Sequence, residues 1–189
     1  DSFVFPSNIT SKKNIVLVSG NKDKIEEFGK IIGEQLVNID IDLPEIQSTT
    51  VMEVGIEKLK EARKYIDGPC IIDDTGLHID KLNGFPGALI KFFHKDLKND
   101  GIIKLCKGSN ARAVSVIGYF DGEKEYFFEG ITEGIISDEP KGEGFGWDPI
   151  FVPNESNMTY AEMLPSVKNN VCQRNKAIEK LKIHLESNK

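Results

Sequence analysis

Four short segments of the 189-residue chain carry side chains suited to handling a phosphorylated, flat-ringed ligand. Ser19-Gly20-Asn21-Lys22-Asp23-Lys24 follows an apolar run and precedes an amphipathic one. A loop that feeds a helix N-terminus aims backbone N–H groups at an anion. Gly20 permits close approach, and Lys22 and Lys24 add charge. The loop is not a Walker A loop, since G-x-x-x-x-G-K-[ST] is absent; a plain capped helix with solvated lysines fits the same residues. Asp73-Asp74-Thr75-Gly76 sets two carboxylates side by side at the end of an expected strand. Such groups are costly to bury unless paired or bound to a cation. They alternate across a strand, so only one is expected to reach a given cleft. Hard oxygen donors near phosphates suit Mg2+, while capping a turn is the plainer role. Glu45, in a loop after another strand end, offers a second carboxylate.

In the third segment, Gly144-Phe145-Gly146-Trp147-Asp148-Pro149, the chain's only tryptophan sits among glycines. Flexible backbone beside aromatic faces suits stacking on a planar base; an aromatic plug in a tight turn is the alternative. In the fourth, Lys168 and Arg174 flank Asn169-Asn170-Val171-Cys172-Gln173 at the start of the last expected helix, where they can contact phosphate or a base edge or form a solvated basic helix start. Lys58 and Lys91 are unremarkable singly. Together the segments are what a nucleoside triphosphate requires, without specifying a reaction.

The elements that must hold these residues can be read from periodicity. Ile15–Val18 predicts a buried strand, and Ile25, Phe28 and Ile32 predict a helix capped by Asn21 and stopped by Gly33. Residues 36–41 form a second strand candidate. Met52, Ile56, Leu59 and Ile66 mark one face of a second helix ending before Gly68-Pro69. Cys70-Ile71-Ile72 is a short strand, and residues 77–82 look extended after it. Gly84-Phe85-Pro86-Gly87 is a turn, and residues 90–94 and 101–107 are helical. Residues 112–120 and 124–131 are strands joined at Asp121-Gly122, which suits a type I′ hairpin. The C-terminus reads as one long helix with Ala177, Ile178, Leu181 and Leu185 on one face. Alternating strands and helices with one hairpin imply an α/β fold with a mixed sheet.

Composition narrows the class. At 39% hydrophobic and 29% charged the chain is ordinary globular protein, and its length suffices to bury about 70% of the unfolded surface. Residues 1–13 read as a polar lead-in and 14–189 as a single domain with two lobes around a cleft. The net charge of −6 argues against a nucleic-acid groove binder. No apolar run approaches the ~18 residues of a membrane span. Cys70, Cys106 and Cys172 lack CxxC or zinc-finger spacing, which fits reduced thiols and a cytoplasmic location. Asp1 is not an initiator methionine, which leaves room for a targeting segment removed upstream.

In this order, SGNKDKIEEF (19–28), IDLPEIQ (41–47), IDDTGL (72–77), GFPGALIKFF (84–93), FEG (128–130), GFGWDPIF (144–151), TYAEM (159–163) and KNNVCQR (168–174) span nearly the whole chain. In this ordered set the chain resembles the inosine triphosphate pyrophosphatase family, with IDLPEIQ and IKFF closer to its eukaryotic branch. The resemblance implies an elongated α/β fold with two lobes, a site in the cleft between them, and a homodimer. It implies Mg2+-dependent hydrolysis of noncanonical purine nucleoside triphosphates (ITP, dITP, XTP) to monophosphate and pyrophosphate, with Mn2+ as a substitute metal. By the same resemblance, Ser19, Gly20, Asn21, Lys22, Asp23 and Lys24 form the triphosphate loop, and Glu45 and Asp74 hold the metal. Asp74 is also the general base, and Thr75 lies beside the nucleotide. Lys58 and Lys91 touch phosphates or sugar. Phe145, Gly146, Trp147 and Asp148 enclose the base, and Lys168, Gln173 and Arg174 complete its recognition.

There is one departure. The family usually reads Ser-His-Arg where this chain has Cys172-Gln173-Arg174. Glutamine still offers an amide donor for a 6-oxo group but lacks the titratable ring. Competing readings are a pyrophosphatase of another nucleotide, as in Maf-type proteins, and a nucleotide-binding module without turnover. TYAEM and GFGWDP speak against the first, and the intact Lys24, Glu45 and Asp74 against the second.

Overall fold

Ile15–Val18 forms β1 and Lys22–Ile32 forms α1, with Asn21 between them accepting hydrogen bonds from the Asp23 and Lys24 amides at 3.0 and 3.2 Å. The computed structural model describes residues 14–189; the lead-in at 1–13 lies outside the described residues. Gly33, at φ +71°, ends α1 as its lack of a Cβ allows. β2 (Leu36–Ile39) stops short of the expected Ile41.

α2 (Val51–Tyr65) buries Val51, Val54, Leu59 and Ala62, while Met52 and Ile56 are only half-buried. The buried face is thus rotated from the expected one. Gly55 accounts for this: a Cβ there would stand 3.0 Å from Val116, so the bare glycine lets the helix lie close on the sheet.

β3 (Cys70–Ile79) runs unbroken through Asp73-Asp74, where a strand end was expected. Its partner β5 (Asn110–Phe120) holds it from Cys70↔Phe120 to Ile79↔Ala111. The strand carries straight through them, so the two aspartates have no turn to cap. β4 (Pro86–Gly87) pairs with Leu77 and His78. α3 (Ile90–Cys106) joins the two expected helical segments across a break at Lys98.

β6 (Glu125–Ile136) continues past Ile131. The β5–β6 connection turns at Gly122-Glu123, one residue on from the expected dipeptide, with the Asp121 amide donating to the Lys124 carbonyl at 3.1 Å. Of the two only Gly122 has positive φ, so the turn is not type I′. The Asp121 carboxylate accepts the Glu123 and Lys124 amides, both at 2.7 Å, and closes it. After β7 (Phe151–Pro153), the expected single C-terminal helix is two, α4 (Pro165–Val171) and α5 (Gln173–Ser187), separated by extended Cys172.

The sheet order is β2-β1-β3-β5-β6-β7, with β4 on the edge of β3; β1 is parallel to β2 and β3, and the remaining pairs are antiparallel. This is the α/β class with a mixed sheet. Alternation along β3 assigns its faces. Ile71 packs with Phe28 of α1 and Ala177, Ile178 and Leu181 of α5, while Ile72 packs with Leu59 and Ala62 of α2.

Candidate active site

β1 pairs with β3 only at Cys70 and Ile71, and β4 pairs with it only at Leu77 and His78. Residues 73–76 lie in the gap between these contacts. Period-two alternation puts Asp73 on the α1/α5 side with Ile71, and Asp74 on the α2 side with Ile72. The two carboxylates therefore meet different neighbours.

Asp73 is 2% exposed. It takes Lys24 Nζ at 3.1 Å on Oδ1 and 3.0 Å on Oδ2, with Arg174 Nε at 3.9 Å. Burial alone would raise its pKa; Lys24, Arg174 and Lys58 together overcome that and hold it below the usual carboxylate value. Asp74 has no such set: the buried Oδ2 of each aspartate has no hydrogen-bond partner among the described residues, but only that of Asp73 has cations within 4 Å. Burial, reinforced by Glu45 and Asp73 and only partly offset by Lys58 and Lys24, pushes it up to about 7. Lys58, from α2, donates to the Asp73 carbonyl at 3.0 Å and pairs with Glu45 Oε1 at 3.1 Å. Burial works against its charge, but Asp73, Glu45 and Asp74 more than restore it and raise its pKa.

Across the opening stands the aromatic segment. Trp147 is half-buried, edge-on to Phe151 at 5.6 Å, while Phe145 is 88% exposed. Below them buried Tyr160 donates its hydroxyl to Gln173 Oε1 at 2.9 Å. That bond engages the amide oxygen, leaving the NH2 group as the other polar end of the side chain. Lys168 pairs with Asp148 at 2.6 Å, Arg174 Nη1 lies 3.4 Å from Glu27, and Thr75 shares a hydrogen bond of 2.8 Å with Ser115. The break at Cys172 turns Gln173 and Arg174 into the first turn of α5, whereas Lys168 stays on α4.

One cavity of about 380 Å3 gathers these groups. Its wall includes Asn21, Asp23, Lys24, Glu45, Lys58, Asp74, Thr75 and Lys91. It also includes Phe145, Gly146, Trp147, Asp148, Lys168, Gln173 and Arg174. Ser19, Gly20 and Lys22 are not part of that wall. The Ser19 hydroxyl accepts the Asn21 amide at 3.1 Å, and a Cβ on Gly20 would stand 2.7 Å from the Asp40 carboxylate, so both shape the loop. Asn21 itself occupies two amides of the helix end, so the positive charge reaching the cavity there is that of the Lys24 side chain.

Asp73 lines the cavity beside Asp74. The expectation that only one of them reaches a cleft is corrected by the missing strand pairing on that edge, which opens both faces to the same space. Glu27, Phe92, His94 and Tyr160 also line it and were not singled out. Glu27 had a legible signal, three residues after Lys24 on one helix face. Tyr160 had none beyond its place in TYAEM.

The donor set fits a hard divalent cation. Among the described residues no three His, Cys, Asp or Glu side chains converge. However, Asp74 carries an orphaned buried oxygen and lines the same wall as Glu45. Two carboxylates leave room for further oxygen ligands around such a cation.

The Ham1 family pattern matches residues 15–184. The chain is 39% identical over 184 residues to the inosine triphosphate pyrophosphatase of Puccinia graminis f. sp. tritici, covering 90% of this chain and 95% of that one. It is 36% identical over 181 residues to the dITP/XTP pyrophosphatase of Thermococcus kodakarensis, covering 92% and 98%. The solved Ham1 protein of Staphylococcus aureus superposes with a TM-score of 0.75 at 30% identity, over 94% of this chain and all of that one. With a matched span that runs from β1 into α5, the chain belongs to the Ham1 family.

Proposed function

We infer that this protein is a pyrophosphatase of noncanonical purine nucleoside triphosphates (ITP, dITP and XTP), releasing the monophosphate and pyrophosphate. The observation that carries this reading is the meeting, in one cavity, of a cationic cluster, an unpaired carboxylate and an aromatic-glycine wall. The names of the relatives give the substrate class.

In this reading Lys24, Lys58 and Lys91 hold the triphosphate. Asp73 keeps Lys24 and Arg174 extended toward it rather than folded onto solvent. Water attacks the α-phosphorus. Asp74, whose Oδ2 has no hydrogen-bond partner among the described residues and which lines the cavity, orients this water and accepts its proton. Mg2+, or Mn2+ in its place, would sit on Glu45 and Asp74 and neutralise charge on the departing pyrophosphate. Positioning and electrostatics supply the rest, as is general for phosphoryl chemistry.

The Trp147 wall and the Gln173 amide face the ring. A donor aimed at O6 is matched by hypoxanthine or xanthine and left unpaired by adenine. That mismatch costs about 1–3 kcal/mol. The protein works in this proposal as a two-lobed single domain over 14–189, as a homodimer, and in the cytoplasm, clearing deaminated nucleotides.

A panel of nucleoside triphosphates with Mg2+, scored for pyrophosphate and monophosphate, tests the reading. ITP and XTP are expected to be preferred over ATP, with pyrophosphate as the direct product and full loss on chelation. Orthophosphate as the direct product would overturn the mechanism.

A further inference from the structure

Asn99 of α3 ties down the aromatic segment at Gly146. Lys98 interrupts α3 with φ +58° and ψ 178°, a left-handed φ that a residue with a side chain seldom adopts. The helix restarts at Asn99, and the interruption frees this side chain to reach across to the aromatic segment. Its Nδ2 donates to the Gly146 carbonyl at 3.1 Å. Its Oδ1 lies 3.1 Å from His94 Nε2. An amide oxygen only accepts, so His94 presents Nε2–H to it. The Gly146 carbonyl likewise only accepts, so the amide NH2 is the end turned toward it.

Gly146 has φ +61°, and a Cβ there would meet nothing within 4 Å. Its glycine is needed for backbone shape, not for space. Among the described residues Asn99 is the donor to its carbonyl. On either side stand Phe145, almost fully exposed, and Trp147, both on the cavity wall. A left-handed glycine between two ring-bearing residues is a pivot, and the latch holds it.

We propose that Asn99, oriented by His94, is a positioning residue that latches Gly146 and so sets where Phe145 and Trp147 stand over the nucleobase. The purine part of this rests on the function inferred above; the latch does not.

Trp147 is the only tryptophan in the chain, so its emission reports the pivot directly in protein without nucleotide. Asn99→Asp keeps the shape and the acceptor for His94 but removes the donor to Gly146. The expected result is a red-shifted, more acrylamide-quenchable Trp147 emission. The KM for ITP rises about threefold to tenfold, the range one neutral hydrogen bond supplies, with kcat held within about twofold. The inhibition constant of inorganic tripolyphosphate, which has no base, stays unchanged. His94→Gln, which retains a donor toward Asn99, lies closer to wild type than His94→Ala in both emission and KM.

Unchanged emission and KM in Asn99→Asp overturn the proposal. So does a fall in kcat at constant KM, or an equal loss of tripolyphosphate affinity. If wild-type protein leaves ITP intact, the purine reading fails, while the emission comparison still decides the latch.

Discussion

Asp73 and Asp74 are adjacent, yet the fold gives them opposite electrostatic fates. Asp73 sits among cations with its pKa depressed. Its stabilisation is therefore present above the ordinary carboxylate value and is lost as pH falls through the lower folded value. Asp73→Asn leaves Lys24 without its carboxylate, while Arg174 keeps Glu27, and is expected to cost about 3 kcal/mol, since breaking a buried pair leaves a charge uncompensated. Urea unfolding near neutrality checks this, and an unchanged midpoint would remove the pair from the stability of the fold.

Asp74 has its pKa raised to about 7. As pH climbs from about 4 to about 7 the unfolded chain ionises this group while the native state resists, so stability falls. Metal-free Asp74→Asn is therefore expected to be more stable than wild type above pH 7 and equal to it near pH 4. It should also lose at least a hundredfold in turnover, the lower end of what a general base contributes. Thermal melts in chelator across that range, beside a pyrophosphate assay, decide both points. At Gln173, replacement by His is expected to change the ratio of kcat/KM for ITP over GTP; a constant ratio would take the position out of base reading.

Most of these side chains were legible as types in sequence, because charged and aromatic residues among glycines stand out. What was not legible was which cation faced which carboxylate, or that both carboxylates open on one cavity. That depends on where β1 stops pairing, and no local pattern records it.

At the scale of elements, α5 carries Gln173 and Arg174 into the site, and its seat on β6 is tight. A Cβ on Gly130 would run into the Gln173 carbonyl and come within 2.6 Å of the Ala177 amide. The FEG segment thus contains a physical requirement: the helix rests on bare backbone. Gly130→Ala is expected to cost about 1–3 kcal/mol by overpacking and to lower kcat/KM by tilting the first turn of α5. Unfolding curves and steady-state kinetics read the two effects separately, and wild-type values in both would show that the helix can shift freely.

Periodicity found β1, α1, α5 and the β5–β6 pair, each of which has a strong apolar repeat. It missed the continuity of β3, because Asp-Asp reads as a terminus when the ladder with β5 is unseen. It also missed the division at Cys172, where no proline or glycine marks the break.

For the whole molecule, charge is unevenly spent. The chain is net −6, yet Lys24, Lys58, Lys91, Lys168 and Arg174 border one cavity. Asp23, Glu27, Glu45, Asp73, Asp74 and Asp148 line the same cavity, so its cations are matched by carboxylates, and a bound divalent cation would tip the wall toward a polyanion. Raising KCl from about 50 to about 500 mM is expected to raise the KM for ITP several-fold with little change in kcat, because screening acts on approach and binding. A KM indifferent to salt would mean that short-range contacts alone hold the substrate. Among the described residues, no helix is long and apolar enough to cross a membrane.

The pairing of β3 with β5 carries a consequence of parity. Sliding β3 by a single position would trade Asp73 for Asp74 and Ile71 for Ile72: the carboxylate that clamps lysine and arginine would turn toward α2, and its reactive neighbour would be held ionised among the cations. Gly76 guards against this. A Cβ there would collide with Val51 and stand 2.8 Å from the Gly87 backbone, so neither Thr75 nor Leu77 fits its place. The odd-even order of one strand is thereby locked by the absence of a side chain, and the chemistry is locked with it.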